Sequence, residues 1–187
     1  MDSDQPKANR GPSAGPENRR AIIAAAREVF AEEGMRAPLN AVARRAGVGQ
    51  GSLYRHFPDR LALAVAVFDE NINELEALVR AERSVDDLFL SISEQAMAST
   101  ALIEIMTENQ HDERATALAE RVRAIVVALV AGDHEAGRIG EGATVDDVLV
   151  AITMLAYAVA YTPEAARPQI IERARRMFHA AFTALTA

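Results

Sequence analysis

The chain has 187 residues, with 20 Lys and Arg against 27 Asp and Glu and a formal net charge of -7; this length suits one compact domain or two small ones and excludes a large multidomain enzyme. Cysteine and tryptophan are both absent, which rules out a disulfide framework, a thiolate metal site and a cysteine nucleophile. Residues 1–20 lack the apolar core of a signal peptide, and the longest apolar stretch, 148–161, is broken by Thr153 and falls short of the roughly 20 residues that span a bilayer, so a cytoplasmic protein without a membrane partner is expected.

Residues 1–16 are rich in Pro, Gly, Ser and Asp without periodicity and read as a disordered arm. From Glu17 the pattern turns helical: Ile22, Ala26, Val29, Phe30 and Glu33 recur at three or four residues, and Gly34 offers a left-handed cap. A short helix over 38–46 follows, with Pro38 at its first position and Gly47 ending it. A second short helix covers 50–57 before Pro58. A long helix is expected over 59–81, with Leu61, Ala64, Val65, Phe68, Ile72, Leu75 and Val79 on one stripe.

Ser84-Val85-Asp86-Asp87 has the chemistry of a helix start, a serine cap followed by acids at the positive end of the dipole. It predicts a helix to about residue 100, then a short helix over 101–110 and another over 112–131. The glycine-rich stretch 132–142 reads as a loop. Thr144-Val145-Asp146-Asp147 repeats the capping pattern for a helix ending at Tyr161, and a last helix is expected over 168–185. Sustained period-two alternation is missing throughout, so the fold class is all-α, with about nine helices.

The net charge argues against nucleic acid as a partner, but it is unevenly divided. Residues 1–60 hold ten basic and seven acidic side chains, and the remaining 127 residues hold ten basic and twenty acidic ones. Between Met35 and Arg60 five arginines face Asp59 alone. A small basic module on an acidic body is the pattern of a domain that meets phosphates locally. Within it, Ala43, Gly47, Val48 and Leu53 have the spacing of a helix-turn-helix: a small residue where the helices cross, a glycine for the positive φ of the turn, and two apolar plugs in the angle between them. The exposed positions of the second helix, Gln50, Ser52, Arg55 and His56, all carry hydrogen-bonding groups suited to base edges or phosphate oxygens, and Gly51 between them leaves room for close approach.

These residues, followed by Tyr54-Arg55-His56-Phe57-Pro58-Asp59-Arg60, closely resemble the DNA-binding domain of the TetR family of bacterial transcriptional regulators over roughly residues 17–65. The resemblance implies a three-helix DNA-binding domain at 17–58 and, at 59–187, a helical regulatory and dimerisation domain reached through a long fourth helix. It also implies a homodimer on a palindromic double-stranded DNA operator, released by a small-molecule effector and most often acting as a repressor. Carried over by position, Asn40, Gln50 and Ser52 face bases or the adjacent backbone, while Tyr54, His56 and Arg60 match phosphate-binding sites. Pro38 stands where the family commonly has a threonine, which removes a cap and a phosphate contact.

In the regulatory half, 148–161 is apolar nearly all round and rich in alanine, so it needs a partner surface. Ala151, Leu155 and Ala158, with Ile170, Ala174, Met177 and Ala181 of the last helix, are the expected dimer interface. Phe89, Met97, Met106, Met154 and Tyr157 are candidates for lining an effector pocket. His111-Asp112-Glu113 and His134-Glu135 are read as solvated charge rather than metal ligands. No motif for a cofactor or for catalysis is found: HExxH, paired ExxH, G-x-S-x-G and a phosphate-cradling loop are all missing. The alternatives to an effector-controlled regulator are a DNA-binding dimer without a small-molecule inducer and a helical enzyme or carrier.

Overall fold

The computed structural model describes residues 15–34, 36–95, 103–105 and 107–184. No strand occurs among the described residues, and the fold is all-α as expected. In chain order the helices are α1 (Gly15–Glu33), α2 (Leu39–Arg45), α3 (Gln50–His56), α4 (Arg60–Arg80), α5 (Val85–Glu94), α6 (Glu113–Glu135), α7 (Val145–Ala160) and α8 (Arg167–Ala184), with a 3-10 turn at Glu164–Ala166. Helical residues also occur at 103–105 and 107–108. The chain divides into two compact units, Met1–Val67 and Phe68–Ala187, and α4 runs across the division.

In the first unit, Ile22, Ala26, Val29 and Phe30 of α1 are buried as the periodicity predicts, joined by Ile23 and Ala25. Gly34 has φ +80, and its N–H donates to the Phe30 carbonyl at 3.0 Å, so the expected left-handed cap ends α1. The division between units lies nine residues beyond the 58/59 boundary read from sequence. The cause is packing: Leu63, Ala66 and Val67 of α4 belong to the same core as Val42, Leu53 and Phe57. At the start of α4 the buried face is accordingly Leu63, Ala66 and Val67, while Leu61, Val65 and Val79 of the expected stripe are only half-buried.

In the second unit the two Ser/Thr starts form complete capping boxes. Ser84 accepts from the Asp87 N–H while the Asp87 carboxylate accepts from the Ser84 N–H, and Thr144 and Asp147 do the same for α7. The hydrogen bonds from Ser84 hold the Asp87 carboxyl below its usual range, and those from Thr144 do so for Asp147. Phe89 of α5 packs on Phe178 and Phe182 of α8, with ring centroids 5.2 Å and 6.1 Å away. Arg121 of α6 reaches α4 with its whole fork: Nε donates to Glu76 and Nη2 to Asn73, both at 2.8 Å, and Nη1 pairs with Asp69.

Three boundaries differ from the sequence reading. α1 begins at Gly15, two residues inside the stretch 1–16 read as a disordered arm, of which 1–14 lie outside the described residues. The helix begun at Ser84 ends at Glu94 rather than near residue 100. The glycine-rich stretch is not a loop throughout, because α6 continues through Gly132 to Glu135 and turns at Gly137, φ +65. A buried carboxylate holds this last turn in place. Asp133 is 2% exposed; its Oδ2 accepts from the Val85 N–H at 3.0 Å and its Oδ1 from Arg138 Nε at 2.7 Å.

Replacing Asp133 with Ala orphans the Val85 N–H and removes the partner of Arg138, and is expected to cost about 1–3 kcal/mol. Asp133→Asn keeps an acceptor for Val85 and should fall between that variant and the wild type. Thermal denaturation checks the order, and an unchanged midpoint for Asp133→Ala would show that this contact does not hold the turn.

Candidate nucleic-acid interface

A seven-residue helix cannot stand alone in water, since helices under about 12–15 residues are marginal even with favourable sequences. α3 lacks even a side-chain cap, its N-cap being Gly49. Burial supplies what propensity does not. Leu53 and Phe57, four residues apart on one face, are 1% and 2% exposed and pack into the core with Val42, Ala43 and the α1 stripe. The turn before α3 depends on Gly47, whose φ is +68, and the Val48 N–H closes it on the Ala43 carbonyl at 3.0 Å. Val48 is half-buried against the same core, as its plug role requires.

With Leu53 turned inward, Gly51 and Arg55, two residues to either side, lie about 200° away on the opposite face. Both are exposed, as are Gln50 and Tyr54, while Ser52 and His56 are half-buried. Tyr54 is 51% exposed, so its ring is not part of the core. Asn40 is exposed in the first turn of α2. The candidate side chains on α2 and α3 are thus presented at the surface by two short helices with a shared core. Pro38 is the N-cap of α2 rather than its first residue, with φ -63 and ψ 134 and no side-chain cap, which fits its fixed φ and missing donor.

Arg60 is half-buried, and its Nη1 donates to the Ala37 carbonyl at 2.6 Å. It ties the start of α4 to the α1–α2 connection, a structural role that the sequence does not signal. Arg45 is fully engaged: its guanidinium meets Glu28 at 2.9 Å and Glu32 at 2.8 Å on α1. The hydrogen bond from Arg45 holds the Glu32 carboxyl below its usual range, and the same bond raises the Arg45 pKa. The i, i+4 spacing of the two glutamates is the signal that could have found this pair. Arg19, also missed, lies over the Phe57 ring with Cζ 5.3 Å from its centroid.

The candidates of the second unit are distributed differently from expectation. Phe89 is buried and lines a pocket, but Met154 is 59% exposed and Tyr157 is half-buried against Tyr161, their rings parallel at 6.1 Å. Burial, followed by the Glu104 carboxylate and Tyr161, pushes the Tyr157 phenol up. Met97 and Met106 lie outside the described residues. Ala151 and Leu155, expected at a dimer interface, are buried within the unit at 3% and 1% exposure. The outward apolar stripe of α7 is instead Val150, Met154, Ala158 and Tyr161. A helix apolar on every side gives no phase, and packing on α5, α6 and α8 sets it. On α8, Met177 and Ala181 are exposed and Ile170 and Ala174 half-buried. Among the described residues no three His, Asp or Glu side chains are grouped to hold a metal ion, and no helix is long and apolar enough to cross a membrane.

The turn, the buried plugs and the polar outer face define a helix-turn-helix protein of the DNA-binding class. Residues 22–67 match the family model described as bacterial regulatory proteins, tetR family. A curated HTH-type transcriptional regulator of Staphylococcus aureus is 40% identical over 58 residues, 30% of this chain and 31% of that protein, so the chain spans under a third of the length of the curated relative it matches. The crystal structure of a TetR transcriptional regulator from Streptomyces coelicolor is 26% identical, with a TM-score of 0.60 over 88% of this chain and 97% of that one. GusR of Salmonella enterica shares the fold at 22% identity, with a TM-score of 0.61 over 95% of this chain and 100% of its own. Residues 22–67 thus match the DNA-binding domain of the TetR family, and the chain as a whole has the fold of solved TetR regulators.

Gly47 and Gly49 are both open, with nothing within 4 Å of an added Cβ, but only Gly47 has a positive φ. Gly47→Ala is expected to destabilise the protein by about 1–2 kcal/mol, whereas Gly49→Ala, which loses only the preference of an N-cap for glycine over alanine, should cost less, about 0.5 kcal/mol. Chemical denaturation of the two variants side by side checks the contrast, which vanishes if the turn does not need the left-handed conformation.

Proposed function

We propose that this protein is an effector-controlled repressor that binds a palindromic operator as a homodimer in the cytoplasm. The DNA-binding domain is the segment 17–58 together with the first turns of α4, and the rest of the chain senses and dimerises. The observation that carries the reading is the outer face of α3: a polar, hydrogen-bonding surface over a helix whose opposite face is fixed by the burial of Leu53 and Phe57.

Gln50 and Arg55 are the base-reading side chains, because an amide pairs bidentately with adenine and a guanidinium with guanine. Asn40 and Ser52 contact bases or the adjacent backbone. Tyr54, His56 and Arg60 donate to phosphate oxygens and fix the register. Gly51 is open space in the exposed first turn of α3, and the absence of a side chain there allows close approach to the duplex. The dimer forms through Val150, Met154, Ala158 and Tyr161 of α7 with Met177 and Ala181 of α8, apolar side chains whose exposure is costly to leave in water. Two recognition helices then enter successive major grooves about 34–36 Å apart. An effector in the second unit shifts α4, changes that spacing and releases both half-sites together.

Selection of binding sites from random duplexes should return an inverted repeat. Gln50→Ala should relax preference at defined positions of each half-site by about 1–3 kcal/mol. Gly51→Ala should raise helix stability by roughly 0.5–1 kcal/mol and yet weaken operator binding, a split that a purely structural glycine does not give. Met154→Glu with Met177→Glu should yield a monomer by light scattering and abolish operator binding; a dimer that persists would place the interface elsewhere.

A further inference from the structure

We propose that the pocket where the ends of α5, α6 and α8 meet is a binding site for a flat aromatic carboxylate. This rests on the effector-controlled reading only for its regulatory consequence, since binding is measured without DNA. The pocket has a volume of about 510 Å³, within the roughly 300–1,000 Å³ usual for small-molecule sites. Its walls are the first turn of α5, the last turn of α6 with the turn at 137–139, and the last turns of α8.

The apolar lining is Val85, Phe89, Ile139 and Phe182, all buried. Phe89 and Phe182 are stacked at 20°, so the pocket offers aromatic surface to a flat, apolar body. The two carboxylates of the polar lining are each held by an arginine. Both oxygens of Asp133 already accept, from Val85 and Arg138. Both oxygens of Asp86 accept from Arg175, Oδ1 at 3.0 Å from Nε and Oδ2 from Nη2. Donors are in surplus. Arg138 uses Nε on Asp133 and Nη2 on the Gly132 carbonyl at 3.4 Å, which leaves further guanidinium hydrogens for an occupant. His179 is exposed on the rim. An adjoining shallow groove shares Asp86 and His179 and adds Arg175, held by Asp86, and Arg176, 3.6 Å from Glu172. An occupant must therefore bring acceptors of its own, and a carboxylate forms the strongest, charge-assisted bonds to such donors.

The site is compatible with dimer formation. His179 and Thr183 each lie two residues, about 200°, from Met177 and Ala181 on α8, so the pocket and the proposed interface use opposite faces of that helix. The site also has a route to α4, because the occupant meets the last turn of α6 and the same helix holds Asp69, Asn73 and Glu76 of α4 through Arg121.

Titration calorimetry of the full chain with 2-naphthoate tests the site. The expected result is saturable binding of one molecule per chain, about tenfold tighter than 2-naphthamide, the neutral analogue. Arg138→Lys keeps a cation beside Asp133 but loses the planar fork, and should weaken naphthoate several-fold while leaving the amide unchanged. Thr183→Trp, at an exposed position on the pocket wall, should fill the space and abolish both ligands without changing the circular dichroism spectrum. No saturable binding at millimolar ligand, binding unaffected by Thr183→Trp, or octanoate binding as tightly as naphthoate would each overturn the assignment. Operator affinity with and without naphthoate is a separate readout: binding that leaves the operator complex intact upholds the site and counts against effector release.

Discussion

The burial of Leu53 and Phe57 is the constraint on which the nucleic-acid face depends. Without it α3 has neither the length nor the capping to persist, and each of these side chains contributes roughly 1.5–3 kcal/mol when removed from water. The same two residues fix the rotation of the helix about its axis, so that Gly51 and Arg55 are turned outward. Folding of the first unit and presentation of its recognition surface are therefore one event. The Gly47 turn and the Arg60 tie to the Ala37 carbonyl set where the helix begins and where the chain leaves it.

The second unit is organised by polar contacts placed at helix ends and between helices, in addition to its aromatic core. Two capping boxes start α5 and α7, Asp133 joins the end of α6 to the start of α5, and Asp86 joins that start to α8 through Arg175. The N-terminus of α5 is thus a node shared by three helices. Arg121 adds a fourth, because three side chains of α4 converge on one guanidinium.

Much of this was legible in the sequence, and the parts that were not have physical causes. Helix starts at Ser84 and Thr144 are local events, written in four consecutive residues, and both were found. The helix-turn-helix was legible because Gly47, Val48 and Leu53 each answer a distinct steric demand at fixed spacing. The outward stripe of α7 was misplaced by one residue at Ala151 and Leu155, because an apolar helix has no polar face to mark its phase. Gly132 read as a loop since propensity is local, whereas Asp133 is held by Val85, 48 residues away. Met154 was a plausible pocket residue by chemistry alone, but its side of α7 is the exposed one. Phe89 is buried, and Arg138 and His179 carry no periodic signal in the sequence.

The double pairing of Arg45 with Glu28 and Glu32 also bears on the polyelectrolyte behaviour of the protein. Five arginines lie between residues 36 and 60, and each one that neutralises a phosphate releases condensed counterions from the duplex. Arg45 enters that account already neutralised by two carboxylates of its own chain. The number of ions released on association is then smaller than the count of arginines suggests.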